Sequence, residues 1–358
     1  MLLVVGIVYS IQAAAFHFVL NDERMYVEEA YRFAHFGEVP RVYPLTPMLL
    51  SFLTLAPSYA WEALFKGFMV STCLALALAV YRVNGFASAL FFSLSPMWVF
   101  LSSHVMTEQL FAFTLLACVA LAREFVERPR LLIATALGLA LFLSYLAKAS
   151  SIPFIAGLAI YLAMEFAKRG KRFASLTAVA LATFLAGVAI WSYLELSTLG
   201  SVATSLRYTA SFINIHRLSL NPKLLAITLA KLVLGATLCV FPYLAVALRK
   251  TLESGLKGAL RALELDRCAK LAVALYVATV STYYIALSLT TETPESIDHI
   301  ARYLMPILPL IRIDKTIKPI DIAALALSIA IGTYLHLYAS THAYNPTTWI
   351  ALEETLRA

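Results

Sequence analysis

The sequence predicts an all-α, polytopic transmembrane helical bundle of about eleven spans, and three observations carry that expectation. Of 358 residues, 61% are hydrophobic and only 14% charged, where a soluble domain carries about a quarter charged residues. Mean hydropathy is +0.80. The apolar residues fall in long blocks, many near the roughly 20 residues that cross a bilayer as a helix. Backbone groups in lipid must be bonded within their own segment, so helices are the expected spans, and the short alternating strands of a membrane barrel are not in the pattern.

Taken in order, the blocks lie at about 1–20, 61–81, 85–103, 105–122, 131–147, 150–166, 173–196, 224–247, 269–290, 302–313 and 319–339. The first lacks a basic n-region and a clean cleavage site before Asn21, so it reads as a retained helix rather than a signal peptide. Residues 44–57 are apolar but too short to cross. With Pro44, Pro47 and Pro57 they read as a re-entrant or interface-lying helix. Residues 1–339 form a single transmembrane domain on this reading, and 340–358 are a short C-terminal tail. Cys73, Cys118, Cys239 and Cys268 are scattered without a CxxC pair, which speaks against a disulfide framework or zinc site.

The net charge of +7 reads as topology and not as nucleic-acid binding, since no such motif accompanies it. With the N-terminus in the cytoplasm and sides alternating, 17 of the 28 lysines and arginines fall inside, 10 outside, and Lys231 within a span. That bias has the sign of the positive-inside rule. A multi-pass cell-membrane protein follows, with 21–43, 197–223 and 291–301 as its substantial outer segments.

The first outer segment, NDERMYVEEAYRFAHFGEVP, is an amphipathic helix of the kind that lies at a membrane surface. Tyr26, Val27, Ala30, Phe33 and Ala34 share one face; Glu28, Glu29, Arg32 and His35 share the other; Gly37 and Pro40 end the pattern. Asp22 and Glu23 stand at the water–lipid boundary. A carboxylate there can take a proton from an acceptor hydroxyl, its basicity raised by partial desolvation. Asp22 reads equally as a plain helix cap. Further on, SPMWVFLSSHVMTEQLF puts Glu108 near the outer end of a span, among Ser102, Ser103, His104 and Thr107. An ionisable residue at membrane depth is a functional candidate, although an interfacial carboxylate or cap is the simpler reading. Lys148 in YLAKASSIPF either snorkels or binds a lipid phosphate as a point charge. In HIARYLMPILPLI, Arg302 and Tyr303 precede Pro306 and Pro309. Such prolines often mark a lined cavity, while Arg and Tyr are also ordinary headgroup anchors. Arg41 is a further phosphate candidate, and Arg207, Tyr208, His216 and Arg217 are weaker candidates for sugar or acceptor contacts.

The run DERMYVEEAYRFAHFGEVP resembles the first outer loop of GT-C glycosyltransferases, most closely the branch of protein O-mannosyltransferases and lipid A aminoarabinose transferases. Asp22, Glu23, Tyr26, Ala30, Gly37 and Pro40 match its order, and YPLTPMLL resembles its proline-rich juxtamembrane helix. The Glu108 segment is also similar to one in GPI-anchor mannosyltransferases. The resemblance implies an inverting transferase that moves a sugar, mannose among the candidates, from a polyprenyl-phosphate donor to a lipid, glycan or protein acceptor on the non-cytoplasmic face. It points to Asp22 as catalytic base, with Glu23 as alternative and Glu108 beside them. Lys148, Arg302, Tyr303 and Arg41 would hold the donor phosphate. The resemblance fixes no cofactor, and a divalent metal cation is a candidate ligand of the outward carboxylates. On this reading the chain is shorter than many relatives and is expected to lack the C-terminal outer domain that some of them carry, which leaves the acceptor open. A transporter or lipid flippase would also account for Glu108, Lys148 and Lys231, and a non-catalytic subunit would need no carboxylate pair.

Overall fold

The structure, a computed structural model, describes residues 1–15, 21–213, 221–291, 296–313 and 316–342. The end of the first expected span, the candidates His216 and Arg217, and most of the expected tail lie outside these residues. Seven helices among the described residues are long and apolar enough to cross a membrane: Ser58–Asn84, Glu108–Glu127, Ser151–Arg169, Lys171–Leu199, Pro222–Ala259, Arg267–Thr291 and Pro319–Ala339. Leu2–Ala15, Leu45–Leu55 and Leu131–Ala147 are apolar but shorter.

Among the described residues the expected count of about eleven spans is therefore not confirmed. The block at 85–103 is broken into Phe86–Ser93 and Pro96–Leu101. Proline at 96 has no N–H to donate and pushes Ser95 into extended backbone, which ends the preceding helix. The block at 302–313 is the end of a short helix, Ile297–Leu304, then a 3-10 turn through Pro306 and Pro309, then extended chain. The segment 44–57 is helical only as Leu45–Leu50 followed by a 3-10 stretch, Ser51–Leu55, too short to cross a bilayer.

The chain packs as two compact units. The first contains 1–110, 238–264 and 312–358. Its helices are α1 (Leu2–Ala15), α2 (Asn21–Phe36), α3 (Leu45–Leu50), α4 (Trp61–Asn84), α5 (Phe86–Ser93), α6 (Pro96–Leu101) and, late in the chain, Pro319–His342. This last helix packs on α6, and α1 packs on α4 and α6. Two buried polar groups mark its ends. Near its start Asp321 accepts Arg249 Nε at 3.1 Å and the backbone N–H of Lys318 at 2.8 Å. Near its far end His336 Nδ1 donates to Gln12 Oε1 at 3.1 Å, and its ring lies 4.5 Å from that of His104.

In α2 the apolar residues Tyr26, Val27 and Ala30 are buried, as their shared face requires. Gly37 ends the helix in left-handed backbone (φ 68°), which lets Glu38 N–H reach back to the carbonyl of Arg32. Asp22 and Glu23 in the first turn complement the positive end of the helix.

The second unit contains 111–237 and 265–311. Its helices are α7 (Glu108–Glu127, from Phe111 on), α8 (Leu131–Ala147), α9 (Ser151–Arg169), α10 (Lys171–Leu199), α11 (Thr204–Ser211), the first part of α12 (Pro222–Ala262), α13 (Arg267–Thr291) and α14 (Ile297–Leu304). The helix at 319–342 is α15. Helix α9 lies so close on α13 that a Cβ on Gly157 would sit 2.5 Å from Ala272 Cα. Leu185, Ile190, Tyr193 and Leu196 of α10 are exposed, the pattern of a helix whose natural surroundings are lipid. The buried carboxylate Glu195, near the end of α10, accepts the N–H groups of Ala203 (2.7 Å) and Thr204 (3.2 Å) and so holds the start of α11.

Candidate functional site

In the first unit the candidate carboxylates are gathered by α2 and the loop between α6 and α7. Asp22 is half-buried at the start of α2. Glu23, one residue on, is only 1% exposed. Its Oε1 accepts the backbone N–H of Val105 at 2.9 Å and lies 2.9 Å from His104 Nδ1. A carboxylate oxygen only accepts, so Nδ1 carries the proton. The loop is tied down again by Gln109, whose amide donates to the carbonyls of Leu101 (2.6 Å) and His104 (3.1 Å).

Glu108 opens α7 and is 1% exposed. The expected ring of hydroxyls and imidazole around it is rearranged. Thr107 Oγ1 donates to Glu108 Oε2 at 3.3 Å, but Ser102 donates to Val99 O and His104 turns to Glu23. Local backbone geometry explains Ser102, since a hydroxyl near a helix end readily bonds a carbonyl of its own turn.

Arg41 is exposed, on the rim of a cavity of about 200 Å³ between α2 and residues 38–41. Glu28, Glu29, Arg32 and Glu38 also line it. Arg32 pairs with Glu28 at 2.9 Å and Glu38 at 3.6 Å. Glu29 accepts the N–H of Val42 at 3.2 Å. Burial pushes its carboxyl up to about 7, against the pull of the backbone N–H groups and the Arg41 charge. Sequence reasoning missed Glu29 as more than a polar-face residue. The available signal was its position seven residues after Asp22, two turns along the same face.

In the second unit the basic candidates come together across a long stretch of sequence. Lys148 ends α8 and is 1% exposed, with its ammonium 3.7 Å from the centre of the Tyr303 ring. Arg302 places its guanidinium 5.6 Å from the same ring, and its Nη2 lies 2.8 Å from His299 Nε2. Tyr276 donates to the carbonyl of Tyr303, and the Tyr284 ring meets that of Tyr303 edge-on at 5.5 Å. Tyr303 is thus fixed on several sides. Beside it opens an apolar cavity of about 390 Å³, lined among others by Pro153, Leu206, Ile213, Val280, Tyr283 and Tyr303. The α11 wall of this cavity is pinned by Tyr283, whose hydroxyl donates to Thr209 O at 3.3 Å. The long outer segment had suggested Arg207 and Tyr208, which are exposed on α11; its cavity-lining residues are Leu206, Thr209, Ala210 and Ile213.

Asp22, Glu23, Arg41 and Glu108 therefore belong to the first unit, and Lys148, Arg302 and Tyr303 to the second. Among the described residues no group of three or more His, Cys, Asp or Glu side chains has the arrangement a metal ion needs.

No protein-family model and no curated protein matches the chain. Two solved structures are similar to it. ArnT from Cupriavidus metallidurans bound to undecaprenyl phosphate has a TM-score of 0.51 at 14% identity, covering 98% of this chain. The same protein in the apo state has a TM-score of 0.48 at 17% identity, covering 97%. The chain spans about 60% of ArnT's length. The first likeness shows the fold: with its seven long apolar helices among the described residues, the chain is a multi-pass membrane protein folded like ArnT.

Proposed function

We propose that the chain is a membrane glycosyltransferase that takes a sugar from a polyprenyl-phosphate donor and passes it to an acceptor hydroxyl on the non-cytoplasmic face. The observation that carries this reading is the buried Lys148 ammonium over the Tyr303 ring, next to Arg302 and on the edge of an apolar cavity. Positive charge beside an aromatic ring that itself lines an apolar cavity suits a phosphate whose attached isoprenoid the cavity would take. The ArnT structure of the same fold holds undecaprenyl phosphate, which supports that class of ligand.

Chemically, the acceptor oxygen attacks the anomeric carbon as Asp22 takes its proton. The bond from that carbon to the phosphate oxygen breaks, and polyprenyl phosphate leaves with its charge stabilised by Lys148, Arg302 and Arg41. One displacement inverts the anomeric centre. Glu108 orients the acceptor. Mannose is the first sugar to try, given the family the opening loop resembles.

Purified protein incubated with radiolabelled polyprenyl-phosphate sugars and membrane acceptors should yield labelled acceptor, and Lys148→Met should abolish donor retention. Labelled lipid crossing the bilayer with no sugar transferred would replace this reading with a flippase.

A further inference from the structure

We infer that Glu23 is a positioning residue that clamps the start of α2 to the 102–107 loop through His104, leaving Asp22 as the group exposed to substrate. This rests on the transferase reading above. Four observations carry it. Glu23 is almost wholly buried while its neighbour Asp22 is half-buried. A single oxygen of Glu23 takes two hydrogen bonds from the loop, one from backbone N–H and one from an imidazole. The bond to Glu23 is the one His104 makes through its ring nitrogens, since Nε2 has no hydrogen-bond partner among the described residues. Finally, the imidazole is fixed by packing, its ring 5.2 Å from Phe100 and 4.5 Å from His336.

The consequence is mechanical. The loop that Glu23 grips runs directly into Glu108, the first residue of α7. One clamp therefore sets both the helix end bearing Asp22 and the approach to Glu108. A carboxylate held by two donors in a closed space is a poor base for an incoming hydroxyl, because it must give up bonds and move to reach it.

The test uses the full-length protein in lipid nanodiscs and two readouts. Glu23→Gln keeps an acceptor oxygen, so the clamp survives and turnover should fall less than about 10-fold. Glu23→Ala and His104→Leu each remove the clamp, and turnover should fall by about 10²-fold, the cost of misplacing reacting groups by roughly 1 Å. His104→Asn can present an amide N–H where Nδ1 stood and should recover most of that loss. The acid limb of the kcat–pH profile should stay in place in Glu23→Gln, because the base is elsewhere. The second readout is thermal unfolding of Glu23→Ala, His104→Leu and the double variant, whose effects should be non-additive as for residues in direct contact. Loss of turnover in Glu23→Gln as deep as in Glu23→Ala, with His104→Leu active, would make Glu23 the base and overturn the clamp. Additive unfolding shifts would overturn it too. If the wild type transfers no sugar at all, the transferase reading fails, and the unfolding cycle still decides the clamp by itself.

Discussion

At the scale of single residues the proposed transfer turns on Asp22 as its base. Asp22→Asn keeps the size and the capping ability of the side chain, since Asn and Asp are comparable caps, and removes the base. Turnover should drop by roughly 10²–10⁴-fold, the span that general-base catalysis supplies, while donor binding measured by filter retention changes little. Full activity of this variant would remove Asp22 from the chemistry. Glu29 leads to a separate expectation about pH. Its carboxyl is pushed up to about 7 in the fold from an ordinary value of 4.5. The folded protein therefore holds a proton that the unfolded chain releases. The stabilisation from that proton is complete below 4.5 and is lost as pH rises through about 7. Compared with Glu29→Gln, the wild type should lose thermal stability between pH 5 and pH 8, and the variant should show a flatter profile over that window. The carboxylates at 22, 23 and 108 were legible because charges at the edge of apolar blocks stand out. The pairing of Glu23 with His104 was not, since 81 residues separate them and only tertiary packing brings them together.

Helices and turns were legible where one local rule acts alone. Gly37 ends α2 where a left-handed residue is needed, and Tyr26, Val27 and Ala30 are buried on the face their spacing gives them. The two interruptions at 85–103 and 302–313 share a cause. Mean hydropathy does not distinguish a continuous apolar helix from an apolar stretch interrupted by proline, so Pro96, Pro306 and Pro309 had to be weighed as breaks and not as kinks. Packing between helices is less legible still, and Gly157 is an instance. A Cβ there would meet Ala272 Cα at 2.5 Å and the Ala272 nitrogen at 2.9 Å, backbone atoms that cannot swing aside. Gly157→Ala should force α9 and α13 apart and cost about 1–3 kcal/mol, the usual range for overpacking. Gly67→Ala, in α4 with nothing within 4 Å of the added methyl, should be neutral or slightly stabilising. Thermal unfolding of the two variants side by side checks both.

For the whole molecule the prediction concerns sidedness. Read on eleven alternating spans, the 17-to-10 split of basic residues predicts residues 168–172 in the cytoplasm and 197–223 outside. All four native cysteines are buried, so a single cysteine introduced at an exposed place gives a clean signal. Ala210→Cys should react with a membrane-impermeant maleimide in intact cells, and Gly170→Cys should react only after permeabilisation. The reverse pattern would put the donor site on the wrong face for a lipid-linked sugar displayed outside. Membrane embedding itself was legible from composition, because long apolar blocks have few alternatives. The division into two compact units was not, since the chain enters each of them more than once and no composition shift marks the crossings.

The length of α10 has a consequence for where the apolar cavity rides in the bilayer. From Arg172, exposed near its start, to Tyr193, exposed near its end, the helix rises roughly 31 Å at 1.5 Å per residue. That distance matches a hydrocarbon layer of about 30 Å, and arginine and tyrosine are the residues that moor a helix at its two borders. An upright α10 is therefore used up by the time it reaches Tyr193, and its last turn stands among the lipid headgroups. Glu195 is in that turn, and it is Glu195 that holds α11. On the proposed reading the α11 wall would be suspended at the depth of lipid phosphates, and a long-chain lipid would present its head to Lys148 without leaving the leaflet.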